Sequence, residues 1–215
     1  CKIVYINKCM KKVIFTIIFL LNYSILYIQP ALAEILLEKT TEAKRAYQKA
    51  YFAGGCFWCM EESFDKVNGV IKSISGYSGG FLKNPTYKDV VYKDTGHVET
   101  IEITYDPLIT TYEKLLNTFW KNIDPFDDYG QFCDKGKSYR SVAFYKNKNQ
   151  KNIIDRSLKE IEKKFNSKVF TLVWDFKVFY PAEDYHQDYY QKNFFKYLAY
   201  KKSCQREEVL KKIWN

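Results

Sequence analysis

The sequence predicts one α/β or α+β domain. Strand-type alternation and helix-type periodicity follow one another in mixed order, without a regular repeat and without a low-complexity tract. A length of 215 residues is enough for one domain with a sizeable core. Charged residues at 27% and aromatics at 18% mark a globular chain rather than a disordered one.

The first segment reads as an address rather than as structure. Lys11-Lys12 precede the apolar run Val13 to Leu21, and Ala31-Leu32-Ala33 stand before Glu34. A positive start, an apolar middle and small residues at the end are the parts of a secretory signal peptide. Residues 1–33 are therefore expected to be removed, with Met10 as the true start, and the remainder to be exported, to the periplasm in a bacterial cell. The alternative is an uncleaved membrane anchor. The apolar run is shorter than the roughly 20 residues a spanning helix needs, although Ile25 to Ile28 lengthen it. Cleavage leaves Cys56, Cys59, Cys133 and Cys204 in a compartment that permits disulfides. Four cysteines in so large a domain are not a disulfide scaffold, so a chemical role is expected of them.

Residues 34–49 are polar and read as an arm, residues 50–199 as the main domain, and residues 200–215 as a tail. Ala50 to Ala53 make the first strand. Two glycines follow, and Phe57, Met60 and Phe64 then fall on one face of a helix reaching about Lys66, stopped by Asn68-Gly69. Val70 to Tyr77 alternate as a strand ending at Ser78-Gly79-Gly80. Asn84-Pro85-Thr86-Tyr87 is a turn before a short helix. Val98 to Tyr105 alternate cleanly, and Asp106-Pro107 ends that strand. Thr111 caps a helix over Tyr112 to Lys121, with Leu115, Leu116, Phe119 and Trp120 inward. Asp124 to Tyr139 form a long loop, a length often tied to function. Ser141 to Tyr145 is a strand, Asn149 to Phe165 an amphipathic helix, Val169 to Phe179 one or two strands, and Glu183 to Tyr197 an aromatic-rich helix.

The net charge is +9, but four of the 34 basic residues lie in the acid-free segment 1–33. The remaining excess is small and interleaved with acids, so a solvated surface is expected and nucleic-acid binding is not.

Cys56, after Gly54-Gly55 and at the start of a helix, faces unpaired backbone N–H groups and the positive end of the helix dipole. Both favour the thiolate, the reactive form of cysteine. On pattern alone, Glu99 in a strand is a solvent-facing carboxylate, the Asp134 loop a capped turn, and Tyr87 a packing tyrosine. Two readings follow from Cys56-Phe57-Trp58-Cys59 without further partners. One is a thioredoxin-like disulfide oxidoreductase using Cys56 and Cys59. The other is a zinc module, disfavoured because the chain has only one Cys-x-x-Cys pair.

Taken together, the blocks say more. Gly54-Gly55-Cys56-Phe57-Trp58, Gly76-Tyr77-Ser78-Gly79-Gly80, Asn84-Pro85-Thr86-Tyr87, Gly96-His97-Val98-Glu99, Gln131-Phe132-Cys133-Asp134 through Tyr139-Arg140, and Glu183-Asp184-Tyr185-His186-Gln187 stand in one order. In wording and order they resemble the A class of peptide methionine sulfoxide reductases, over about residues 50–215. The resemblance implies a two-layer α/β sandwich with a mixed sheet, similar to a plait. It implies Cys56 as the nucleophile that becomes a sulfenic acid, Glu99 as the acid, and Tyr87 and Tyr139 as hydrogen-bond donors to the sulfoxide oxygen. It implies Asp134 as an orienting residue, and Phe57 and Trp58 as an apolar wall for the substrate methyl group. It further implies selectivity for the S epimer, no metal and no organic cofactor. The resolving cysteine is expected in a mobile C-terminal tail, which makes Cys204 the first choice and Cys59 and Cys133 the alternatives. The expected partners are oxidised methionine and a thioredoxin-like reductant that must itself be exported, and a monomer is expected.

Overall fold

Alternation of side chains along the first strand decides how the molecule is layered. This computed structural model describes residues 46–215, together with the isolated positions Pro30, Leu32, Glu34, Leu37 and Lys39. The expected signal segment and most of the polar arm lie outside the described residues. Strand β1 is Gln48–Gly54. Gln48 and Lys49, read above as the end of the arm, therefore belong to the sheet, because ladder hydrogen bonds are made by backbone whatever the side chain. Along β1, Phe52 faces Phe64 and Phe119, while Tyr51 faces Phe176 on the other side.

Helix α1, Phe57–Asp65, follows the double glycine. Strand β2 is Val70–Ser78, helix α2 is Tyr87–Tyr92, and strand β3 is Val98–Tyr105. Thr86 starts α2 with a reciprocal capping box to Asp89. Helix α3, Tyr112–Lys121, is capped by Thr111 as its sequence predicts. The long loop is not featureless: it holds a two-residue ladder, β4 (Gly130–Gln131) with β5 (Asp134–Lys135), and a 3-10 turn at Lys137–Tyr139. Strand β6 is Ser141–Tyr145, and helix α4 is Lys148–Phe165. Strands β7, Leu172–Asp175, and β8, Phe179–Pro181, divide the stretch that follows.

The expected single helix from Glu183 to Tyr197 is instead broken. A 3-10 turn at Asp184–His186 leads into α5, Tyr189–Lys192, with Asp188 left-handed between them at φ 53°. Helix α6, Phe194–Ser203, and helix α7, Arg206–Trp214, complete the chain. The residues read as a tail are thus helical, and the indole of Trp214 donates to Ile123 O at 3.1 Å. Apolar periodicity is weak across residues 183–215, since Phe194 and Phe195 are exposed. Local pattern therefore did not announce these short elements.

The six-stranded sheet runs β7-β6-β1-β3-β2-β8. It is mixed: β6 and β7 are parallel and the other pairs antiparallel. On one face Phe52, Ile101, Ile103 and Ala143 pack with Phe64, Leu115, Leu116, Phe119, Ile154 and Ile161 of the helices. On the other, Tyr51, Val98, Val142 and Phe144 pack with Trp174, Phe176 and Phe179. Among the described residues, no helix is long and apolar enough to cross a membrane.

Candidate active site

A sharp turn from β1 into α1 sets the position of Cys56. Gly55 has φ +76°, and a Cβ there would stand 2.5 Å from Cβ of Gln131. Only glycine combines that conformation with that approach. Gln131 is itself fixed, accepting from Asp124 N and donating to Asp124 O, both at 2.8 Å. The turn and the long loop are therefore locked to one another. Cys56 is the residue that begins α1, and its side chain makes no capping bond.

The first free N–H of α1 goes elsewhere. Phe57 N donates to Oε2 of Glu99 at 3.0 Å. Glu99 lies near the start of β3, opposite Tyr77 of β2, and is only 3% exposed. The solvent-facing position suggested by strand pattern alone is thus corrected: both faces of β3 are covered. Burial pushes the Glu99 carboxyl well above the ordinary value of 4.5, and Asp134 and Cys59 add to this against the Phe57 hydrogen bond. Burial therefore shifts Glu99 towards its protonated form, the form a general acid needs.

Cys56 differs from the expectation of a lowered thiol. Burial raises its pKa well above 9.0, with further upward pushes from Cys59, Glu99 and Asp134. The helix terminus does not compensate, because Glu99 already occupies its N–H. The neighbouring Cys59 goes the other way, to about 7. Its hydrogen bond with Cys56 lowers it most, and Arg206, Tyr197 and Lys201 add to that against burial. Both thiols are free and buried.

Cys56, Phe57, Trp58, Tyr87, Glu99, Asp134, Tyr139 and Tyr200 line one cavity of about 110 Å³. The structure therefore brings together every catalytic and apolar candidate from the sequence except the resolving cysteines. Tyr87 and Tyr139 place their hydroxyls 3.5 Å apart. Tyr87 is pushed up to about 12, and burial also raises Tyr139, so both hold their protons as donors. Glu183 fixes this side: it accepts from Tyr87 N and from the Tyr77 hydroxyl, both at 2.9 Å. Asp134 accepts from the Tyr200 hydroxyl at 2.5 Å, and burial raises its pKa.

Trp58 is held from behind. It stacks on Tyr189 at 3.8 Å, and its indole N–H donates to Nδ1 of His186 at 3.2 Å. His186 Nδ1 is thus an acceptor, its proton sits on Nε2, and burial lowers its pKa. Sequence reasoning assigned no role to His186, Tyr189 or Tyr200. For Tyr200 a signal existed: it lies four residues before Cys204, one helical turn away.

Cys133 and Cys204, two of the three candidates for the resolving thiol, are bonded to each other, with Cα atoms 5.0 Å apart. The ligand atoms of Cys133, Asp134 and Cys204 lie within 4.8 Å of one another, but the two sulfurs are spent in the disulfide.

A buried cysteine at a helix start, faced by a buried carboxyl and two phenols, is the equipment of a thiol-dependent enzyme. The chain belongs to the peptide methionine sulfoxide reductase family, whose profile matches residues 48–215. It is 45% identical over 173 residues to the peptide methionine sulfoxide reductase MsrA of Listeria monocytogenes, covering 80% of this chain and 98% of that one. It is 47% identical over 170 residues to MsrA/MsrB of Vibrio cholerae, covering 78% of this chain but 45% of that protein, so it spans under half of that longer relative. The fold is similar to that of methionine sulfoxide reductase A of Corynebacterium diphtheriae, with a TM-score of 0.62 and 28% identity over 68% of this chain and 75% of that one.

Proposed function

We propose that this protein reduces methionine-S-sulfoxide, in proteins and as the free amino acid, to methionine. One observation carries the reading: a buried Glu99, its carboxyl pushed towards the protonated form, shares a cavity of about 110 Å³ with Cys56. Cys56 sulfur attacks the sulfoxide sulfur as the S–O bond breaks. Glu99 supplies proton character to the departing oxygen, and Tyr87 and Tyr139 donate hydrogen bonds to it. Phe57 and Trp58 receive the methyl group, since thioether sulfur is attracted to aromatic edges. The sulfoxide oxygen leaves as water, water then attacks the Cys56 sulfur and breaks its bond to the substrate sulfur, and the products are a Cys56 sulfenic acid and methionine.

Cys59 is the first candidate to resolve that acid, because it is free and hydrogen-bonded to Cys56. Its sulfur displaces water, giving a Cys56–Cys59 disulfide. Two thiols of a thioredoxin-like partner then restore both cysteines and are themselves oxidised to a disulfide. The dithiol-oxidoreductase alternative leaves Glu99, Tyr87 and Tyr139 without a task. Export through residues 1–33 belongs to the same reading, supported by the N-terminal lysines, apolar run and Ala31-Leu32-Ala33. N-terminal sequencing of the protein recovered from cell fractions tests export.

The function is tested by incubating the protein with a methionine-S-sulfoxide peptide and dithiothreitol. Wild type is expected to turn over and Cys56→Ser to form no methionine. A folded wild type that forms none refutes the proposal.

A further inference from the structure

We infer that the Cys133–Cys204 disulfide is a strut that sets the substrate pocket, with Tyr200 as the positioning residue it holds in place. The inference rests on the sulfoxide reductase reading of that pocket. Cys133 directly precedes Asp134, and Cys204 lies one helical turn after Tyr200. The bond thus joins the loop that carries Asp134 to the helix that carries Tyr200. Tyr200 lines the cavity, donates to Asp134 and meets the edge of Trp58 at 5.9 Å between ring centres. Of the residues after Lys192, it is the one that reaches the cavity.

A second tie runs parallel to the first. Arg206 stands over the ring of Phe132, 4.4 Å from its centre. Its guanidinium also donates to Gly54 O and Asn122 O. The loop and the C-terminal helices are therefore joined by two adjacent ties, buried Arg206 against Phe132 and, on the Tyr200 side of it, the disulfide. With the disulfide open, α7 keeps the Arg206 tie, while Tyr200 and Asp134 keep only one hydrogen bond between them.

Cys133 is exposed and Cys204 half-buried, so the bond is open to attack from solvent. A dithiol reductant supplies two electrons and two protons, the S–S bond becomes two thiols, and the reductant becomes a disulfide. The same class of reductant that recycles Cys56 can thus loosen the roof above it.

Steady-state assays in dithiothreitol would open the strut in wild type, so the test uses single turnover without reductant. Five preparations of the full-length protein are compared, each with Cys56 and Cys59 reduced. They are wild type with the strut closed, wild type with it reduced, the Cys133→Ser/Cys204→Ser double variant, and Tyr200→Ala beside Tyr200→Phe. Two quantities are read. The first is the peptide concentration giving half the limiting rate of methionine formation. The second is the rate at which iodoacetamide alkylates Cys56, followed by peptide mass spectrometry.

Opening the strut is expected to raise the half-saturating concentration about fivefold, the scale of one hydrogen bond to the pocket wall. The limiting rate is expected to stay within about twofold. Cys56 alkylation is expected to speed up severalfold. Tyr200→Ala should reproduce both effects, and Tyr200→Phe should recover most of the protection by keeping the ring. Unchanged saturation and unchanged alkylation in the reduced wild type and the double variant would overturn the strut. Wild type that makes no methionine refutes the sulfoxide reading instead, while alkylation still decides the strut. The reduced wild type keeps the test readable if the double variant does not fold.

Discussion

Replacing Glu99 by Gln separates its chemistry from its packing. The amide oxygen of Gln can still accept from Phe57 N, the bond that Glu99 makes at 3.0 Å, and the side chain keeps its volume. What is lost is a transferable proton. General acid catalysis contributes about 10²- to 10⁴-fold, and a Gln N–H retains some hydrogen bonding to oxygen, so a loss of about 10²-fold in the single-turnover rate is expected. Stability should move the other way. The Glu99 carboxyl is raised above its ordinary value of 4.5, so the fold binds its proton more tightly than the unfolded chain does. Below about pH 4.5 that group costs nothing. As pH rises towards its folded value the unfolded chain ionises and the fold does not, costing about 1.4 kcal/mol per pH unit, and the cost levels off above the folded value. Glu99→Gln is therefore as stable as wild type at pH 4 and more stable at pH 8. The assays are methionine formation by rapid quench from pH 5 to 9 and thermal unfolding at pH 4 and 8. Wild-type rates should fall as Glu99 ionises, whereas the variant should lack that limb. A variant that reacts as fast as wild type with the same pH profile would show that Glu99 is not the acid.

Cys59→Ser is expected to release one methionine per molecule at near the wild-type rate, yet to lose most turnover with a thioredoxin-like dithiol; mass spectrometry should then find Cys56 as a sulfenic acid. Because Cys56, Arg206 and Lys201 lower the Cys59 thiol below its ordinary value, the disulfide-forming step in wild type should speed up as pH rises and level off below the pH at which a free thiol would ionise, read by stopped-flow mixing after one turnover. Arg206→Ala removes a guanidinium that is 3% exposed and strands the carbonyls of Gly54 and Asn122, so about 3 kcal/mol of stability should be lost in urea unfolding. Gly55→Ala meets both a left-handed backbone and Gln131, so it should unfold at least about 1 kcal/mol more easily and lose activity by displacing Cys56.

What the sequence made legible depended on whether the physics was local. Phe52, Leu115, Phe119 and Ile154 announce their elements because period two and period 3.6 come from backbone geometry alone. Thr111 and Thr86 announce helix starts because a cap is a bond across three residues. Glu99 shows the limit. Its alternating neighbours say only that it is on a strand, and its burial follows from groups distant in sequence that close over it, Phe57 with the N–H it accepts 42 residues away, and Tyr87, Asp134 and Tyr139. Motif wording supplied Glu99, Asp134, Tyr87 and Tyr139, but not the charge state of Cys56. A helix terminus lowers a thiol only when its N–H groups remain free for the sulfur, and here Glu99 has taken the first of them. The same limit explains the disulfide. Cys133 and Cys204 are 71 residues apart with ordinary neighbours, and their meeting depends on α6 and α7 folding back over the Asp134 loop. Arg206 makes that fold-back intelligible: a buried guanidinium has to find acceptors, and the carbonyls of Gly54 and Asn122 are at the rim of the site. The segment read as a tail is thereby tied to the catalytic turn, through Arg206 on Gly54 O and through the bond that joins Cys204 to the Asp134 loop.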